Sequence, residues 1–288
     1  MIHKLSAFAQ DIGSFSRLPR LVRYALRRPK KTWDYVVRAG SRRWIGRYFE
    51  STSEYRRMLG EIEGTGLLAS MEERLARRFS SISGRTSSGN PYIAGAMSRR
   101  QVCNIYALVR QRRPRVIVET GVCNGFSTHV LLAALRDNGS GHLYSIDYPE
   151  FADDRTVDDP FWQGKGGAVV PPDEESGWLV PDELRDRWTL ILGKSSEKLP
   201  PLMHDLEQVD LFLHDSEHSF ENQLFEFRLA WEHLSDLGLL LASDIAWSKA
   251  FDTFWNEVRN DAARHFIDHD LAIVGKKSRK SALLRGGG

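Results

Sequence analysis

Five short apolar runs recur between residues 115 and 244: "RVIVE", "HLYSID", "WTLILG", "VDLFLHD" and "GLLLASD". Each has the length of a strand, and helical periods lie between them. The clearest sets Phe220, Leu224, Phe227, Trp231 and Leu234 at steps of four and three, the stripe of a helix lying on a sheet. Ser98 with Gln101 fits a capping box that opens a helix to about Arg112. Another helix is expected from Ser127 to Asn138, closed by Gly139, and a later one over Ala250–Phe266. "LAIVG" and "SALLR" are expected to close as a terminal hairpin. Strands that alternate with helices require an α/β fold with a mostly parallel, seven-stranded sheet and helices on both faces. Such a sheet binds ligands at the C-terminal ends of its strands.

The 288 residues hold more than this sheet. Residues 1–79 read as a basic helical N-terminal region, punctuated by Pro19 and Pro29. Within it, "MLGEIEGTGLLASMEERLARRF" reads as a helix pair broken at Gly64–Gly66. Residues 80–97, which open on "SSISGRTSSGNP", read as a linker, and 98–288 as the sheet domain. Residues 149–187 are too long for an ordinary connection between a strand and a helix. They are expected to form a lid-like insertion that covers or selects a substrate.

A net charge of +2 conceals an asymmetry, since residues 1–57 hold 14 Lys/Arg against 4 Asp/Glu. Arginines interleaved with Trp33, Trp44 and Tyr48 suit peripheral contact with an anionic membrane; the alternative is a solvated helical face packed on the acidic remainder. No specific nucleic-acid partner is expected. No run approaches the roughly 18 apolar residues of a membrane span, and the first residues lack the apolar block of a signal peptide. Cys103 and Cys123 make neither a disulfide framework nor a zinc pattern. A cytoplasmic protein, peripheral to a membrane through its arm, is the expectation, with homo-oligomerisation left open.

The glycine turn after the first strand narrows the ligand. Glu119 ends that strand, and Gly121 and Gly125 permit tight turning and close backbone approach. The helix that follows leaves unpaired N–H groups at its start. Asp147 ends the second strand 28 residues after Glu119. A carboxylate there can accept both hydroxyls of a ribose, each charged hydrogen bond contributing about 1.5–3 kcal/mol. That is a nucleoside site on a Rossmann-like sheet. The G-x-G-x-x-G pattern of dinucleotide binding fails, because Cys123 takes one glycine's place and the third is missing. A phosphate-binding P-loop fails at "GKSS", 193–196, where Trp188 stands in place of the needed glycine. An acid at the start of the loop repels phosphate and attracts an amino group. The pattern therefore suits a nucleoside with a cationic tail, and S-adenosylmethionine fits.

From about residue 98 to 285 the sequence resembles class I S-adenosylmethionine-dependent methyltransferases, and looks most like the bacterial subgroup with a catechol-O-methyltransferase-like site. "ETGVCNGFST" resembles the family's first motif, with Cys123 in place of the usual central glycine. The resemblance implies that Glu119 and Gly121 face the methionine end of the cofactor, with Asn124, Gly125 and Ser127 around the loop. "SIDYP" resembles the second motif and implies that Asp147 holds the ribose. "LILGKSSEKLP" looks like the third-strand motif, which implies Ser195 and Ser196 beside adenine. The most particular match is "DLFLHDSEHSFENQLFEFRLAW" followed by "GLLLASDIAW".

Methyl transfer to a hydroxyl needs alignment and removal of a proton. Asp215 and Asp244 end the fourth and fifth strands, and on neighbouring strands both reach one crevice. Two carboxylates suit Mg²⁺; in the related site a third ligand adjoins the fifth-strand acid, and here its neighbours are Ser243, a weak ligand at best, and Ile245, which cannot ligate. Asp215 alternatively caps its loop or binds the acceptor. His218 stands where the family's general base can stand, and imidazole takes a proton near neutrality. His214 is read as a packed, hydrogen-bonded histidine pointing away, so "HDSEH" is not a zinc motif. Trp247 and "GWLVP", 177–181, are candidates to line the acceptor pocket. The expected activity is O-methylation of a hydroxyl on a small-molecule or glycan acceptor. The alternative is a non-catalytic or differently acting protein of the same fold, recruited to a membrane or complex by its basic arm.

Overall fold

A computed structural model of the chain describes residues 43–80, 97–151 and 169–277. Pro19, Pro29, Trp33, most of the linker and "SALLR" lie outside the described residues. Three helices come first, α1 (Arg43–Tyr48), α2 (Thr52–Gly64) and α3 (Leu67–Ser80). The α2–α3 break falls at the expected glycines. Then follow α4 (Arg99–Arg112), β1 (Val116–Thr120), α5 (Phe126–Asn138) and β2 (His142–Asp147). The insertion contributes β3 (Glu150–Phe151), β4 (Val169–Val170) and a 3₁₀ turn at Asp182–Arg187. The chain returns through β5 (Trp188–Leu192), α6 (Ser195–Leu206), β6 (Val209–His214), α7 (Phe220–His233) and β7 (Leu234–Ala242). It continues as α8 (Ala250–Val258), β8 (Ala262–Phe266) and β9 (Ala272–Lys276).

Seven strands form one sheet in the order β5-β2-β1-β6-β7-β9-β8. The first five of these pair in parallel, and β9 runs antiparallel to both β7 and β8. Thr120, Ile146, His214 and Ala242 are in register across β2, β1, β6 and β7. The loops after these strands therefore rise at one edge, where the candidate residues sit.

One core, on the side of α4 and α5, also takes in Trp44, Met58, Ile62, Leu68, Met71, Leu75 and Phe79 from the N-terminal helices. The second, on the other face, holds Leu199, Phe212, Phe227, Phe251 and Phe254. The linker thus divides the sequence without dividing the core. Trp44 and Tyr48 point inward, where Trp44 packs edge-on against Phe49 and Tyr55. The expectation that these two aromatics meet a membrane is corrected: they cover apolar surface of their own fold. Among the described residues no helix is long and apolar enough to cross a membrane.

Two further expectations change. The helix expected over Ala250–Phe266 ends at Val258, because the apolar stripe of Phe251, Phe254 and Val258 stops at the turn formers Asn260 and Asp261. The freed segment becomes β8, which supplies the hairpin partner of β9 expected from "SALLR". In α7 the stripe buries Leu224, Phe227 and Ala230, whereas Phe220 is exposed and Leu234 already belongs to β7.

Candidate active site

One half of the site is built around Glu119 and Asp147, at the tips of β1 and β2. Glu119 is fully buried and accepts hydrogen bonds from Ser127 Oγ (2.7 Å), Thr128 Oγ1 (2.8 Å) and Ser145 Oγ (2.8 Å). Burial pushes its carboxyl up to about 7, although the three hydroxyls pull the other way. Glu119, implied with Gly121 to face the methionine end, has its carboxylate on Ser127, one of the residues expected around the loop. They face each other beneath the loop, and their bond ties the tip of β1 to the first turn of α5. Gly121 has φ 87°, and a β-carbon there would collide with the carbonyl of Asp215. Cys123 sits at φ 49°, in the left-handed region that glycine favours. This explains why related loops carry glycine at that position, and the backbone shape is kept without it.

Asp147 is 7% exposed. Its Oδ1 accepts from Val122 N–H (3.1 Å) and its Oδ2 from Cys123 N–H (3.2 Å) and Ser176 Oγ (2.5 Å). The backbone N–H of Tyr148 adds a fourth donor, and burial raises the carboxyl above its ordinary value despite them. Asn124 is buried, with its side chain spent on Trp178 Nε1 (2.6 Å) and Val169 O (3.2 Å). Gly125 lies against Gly177, where a β-carbon would stand 2.8 Å from Gly177 Cα. The lid-like insertion thus rests directly on the glycine turn. Ser195 begins α6 and donates to Asn222 Oδ1 (3.1 Å), and Ser196 is exposed beside it.

The other half lies at the tips of β6 and β7. Ligand atoms of Asp215, His218 and Asp244 all fall within 4.8 Å of one another. His218 Nε2 is 2.9 Å from Asp244 Oδ2. Burial lowers the proton affinity of His218, but bonding to Asp244 and the charges of Asp244, Asp215 and Glu226 more than reverse this, and the net direction is up. Burial raises Asp244, and the His218 imidazole outweighs it, so this carboxylate is held below its ordinary value. Asp215 goes well above its ordinary value through burial and then through Asp244. Asp244 also carries a left-handed backbone, φ 51°. Trp247 stands 68% exposed with its ring 5.7 Å from that of His218.

Two acids that sequence reasoning missed support this cluster. Glu226 of α7 is wholly buried and gathers Thr120 Oγ1 (2.5 Å), His214 Nδ1 (2.7 Å), Ser216 Oγ (2.7 Å) and Asn222 Nδ2 (2.9 Å). Burial opposes its ionisation, yet His214 and the hydrogen bonds bring it down to about 2. His214 is packed and hydrogen-bonded as expected, but its ring lies 5.5 Å from that of His218, edge to face with it rather than pointing away. Asp270 bonds to Asp244, and burial followed by that neighbour raises it to about 7. The signal for Glu226 was an acid on the apolar face of α7, between Gln223 and Phe227.

Comparison with known proteins bears on the fold and on the segment that carries the site. Residues 118–245 match the methyltransferase domain family. The fold is similar to that of an O-methyltransferase from Bacillus cereus in complex with S-adenosylhomocysteine, at 14% identity and a TM-score of 0.50, covering 74% of this chain and 91% of that one. The O-methyltransferase TomG from Streptomyces achromogenes is 14% identical with a TM-score of 0.49, over 72% and 89% of the two chains. The methyltransferase PaMTH1 from Podospora anserina is 14% identical with a TM-score of 0.47, over 71% and 88%. No curated protein sequence matches. Residues 118–245 are thus similar to a methyltransferase domain, on a sheet whose order β5-β2-β1-β6-β7-β9-β8 belongs to the fold shared with the Bacillus cereus structure.

Proposed function

We propose that the chain transfers a methyl group from S-adenosylmethionine to a hydroxyl oxygen of a small-molecule or glycan acceptor. The observation that carries this reading is the gathering of Asp215, His218 and Asp244 at the tips of β6 and β7, with Asp215 touching the glycine turn. When bound, S-adenosylmethionine supplies an electrophilic methyl on a sulfonium. The turn from Gly121 to Gly125 and the carboxylate of Asp147 are the groups that would hold it.

On the acceptor side His218 takes the hydroxyl proton at Nδ1, while Asp244, 2.9 Å from Nε2, holds the ring and stabilises the imidazolium. Glu226 steadies His214 against that ring. Mg²⁺ would fit the carboxylates of Asp215 and Asp244, which each bring an oxygen within 4.8 Å of the other and of a His218 nitrogen. Bound there, the ion would lower the proton affinity of the acceptor hydroxyl.

The test is transfer of labelled methyl from S-adenosylmethionine to a panel of phenols, catechols and glycosides, with Mg²⁺ or chelator. His218→Ala is expected to lower turnover about 10²–10⁴-fold, as for loss of a general base. Turnover should rise with pH through a value above the ordinary 6.5 of histidine, since the raised His218 must shed its proton to act. Transfer indifferent to His218→Ala and Asp244→Asn would remove the assignment. Absence of S-adenosylhomocysteine binding by the folded chain and by variants of the insertion would remove the donor as well.

A further inference from the structure

The segment from Pro171 to Val180 lies as a strap over the glycine turn. Gly177 N–H donates to Cys123 O (2.8 Å) and Leu179 N–H to Asn124 O (3.1 Å). Trp178 bonds the Asn124 side chain, and Ser176 Oγ bonds Asp147. A carboxylate offers about four lone-pair positions. Val122, Cys123, Tyr148 and Ser176 supply four donors to Asp147, and three of them are backbone groups of the turn and strand tip. Ser176 is the one alcohol among them, and an alcohol is what a ribose presents.

The strap is tied down from outside the sheet domain. Arg74 of α3 donates to Leu179 O (3.2 Å) and Trp178 O (3.1 Å), and its guanidinium lies over the Trp178 ring at 5.2 Å. One turn later Arg78 pairs with Asp173 (2.9 Å) and Glu174 (3.2 Å). Beneath the strap, Gly177 abuts the ring of Trp188, whose Nε1 bonds Ser145.

We propose that Ser176 is an internal stand-in for a ribose hydroxyl on Asp147, and that the donor binds only as the strap lifts, with Arg74 of the N-terminal helices setting how readily it does so. This rests on the reading of Asp147 as the ribose-binding carboxylate. A nucleoside diol that reaches Asp147 must replace the Ser176 hydroxyl. It must also part Gly177 from Gly125, which the strap holds too close for any side chain. The N-terminal helices then act on cofactor affinity without touching cofactor.

The experiment uses the full chain and S-adenosylhomocysteine as the probe. Binding is measured by calorimetry for the native chain and for Ser176→Ala, Arg74→Ala and Asp147→Asn, with thermal unfolding to verify that each folds. Loss of a hydroxyl that competes for a charged acceptor should tighten binding by about tenfold in Ser176→Ala, and Arg74→Ala should move it the same way. Asp147→Asn should weaken it. Hydrogen exchange gives a readout free of turnover: the amides of Gly177 and Leu179 should lose protection when S-adenosylhomocysteine binds. Affinity unchanged or weaker in Ser176→Ala, or those amides equally or better protected with the probe, overturns the proposal. If Asp147→Asn still loses binding in that case, the donor reading stands. If no chain binds the probe, Ser176→Ala included, both fall together.

Discussion

Glu119 and Glu226 are both sealed from solvent, yet they take opposite charge states for a physical reason. Glu119 is bonded by three neutral hydroxyls and has the like charge of Asp147 nearby, so desolvation wins and its value rises from 4.5 to about 7. Glu226 faces His214 and the hydrogen-bond donors Thr120, Ser216 and Asn222, so the pairing wins and it falls from 4.5 to about 2. The consequences for stability run in opposite directions. Glu119 holds its proton more tightly when folded, so its contribution is whole below pH 4.5 and is lost as pH rises to about 7. That difference corresponds to about 3 kcal/mol. Glu119→Gln, which carries no titrating group, should flatten this stretch of the stability profile in urea unfolding at successive pH values. Glu226 behaves conversely: its contribution is present above pH 4.5 and disappears as pH falls toward 2. Glu226→Ala leaves His214 buried without its partner, and should cost about 3–5 kcal/mol in the same assay. The sequence placed Glu119 at a strand tip correctly but not the direction of its side chain. That depends on Ser127, Thr128 and Ser145 converging from two other elements, and no local pattern encodes it.

At the level of elements, the ends that local chemistry writes are the ones that could be read. Ser98 and Gln101 close the expected capping box on α4, with Ser98 Oγ accepting from Gln101 N–H and the Gln101 side chain returning to Ser98 N–H. Ser98→Ala should cost about 1 kcal/mol in thermal or urea unfolding. The five parallel strands were legible because each is a short apolar run cut by turn residues. The hairpin partner of β9 was not, since "AARHF" carries little strand signal and is fixed by pairing with Ala272–Lys276. Gly125 illustrates the same limit. Its need for glycine was visible, but the cause is Gly177, 52 positions away in sequence. Gly125→Ala should therefore loosen the strap as well as strain the turn, seen as faster exchange of the Gly177 amide at unchanged pH.

For the molecule as a whole, the helices α1–α3 are part of the core rather than an appendage. Met58, Ile62, Leu68, Met71 and Leu75 are each at most 5% exposed and share one apolar cluster with α4 and α5. A chain that starts at residue 97 would uncover that surface, and should aggregate or lose its cooperative unfolding transition in calorimetry. The composition break at 80–97 suggested a separate region because sequence registers where the backbone is unpatterned, not what packs across it. One contact reaches furthest. The backbone of Gly121 and the carbonyl of Asp215 meet so closely that no other residue fits at position 121 without one of them moving. The tips of β1 and β6 thus share a single seam, and any substitution at position 121 would be felt at Asp215, so the two halves of the proposed site would have to move as one.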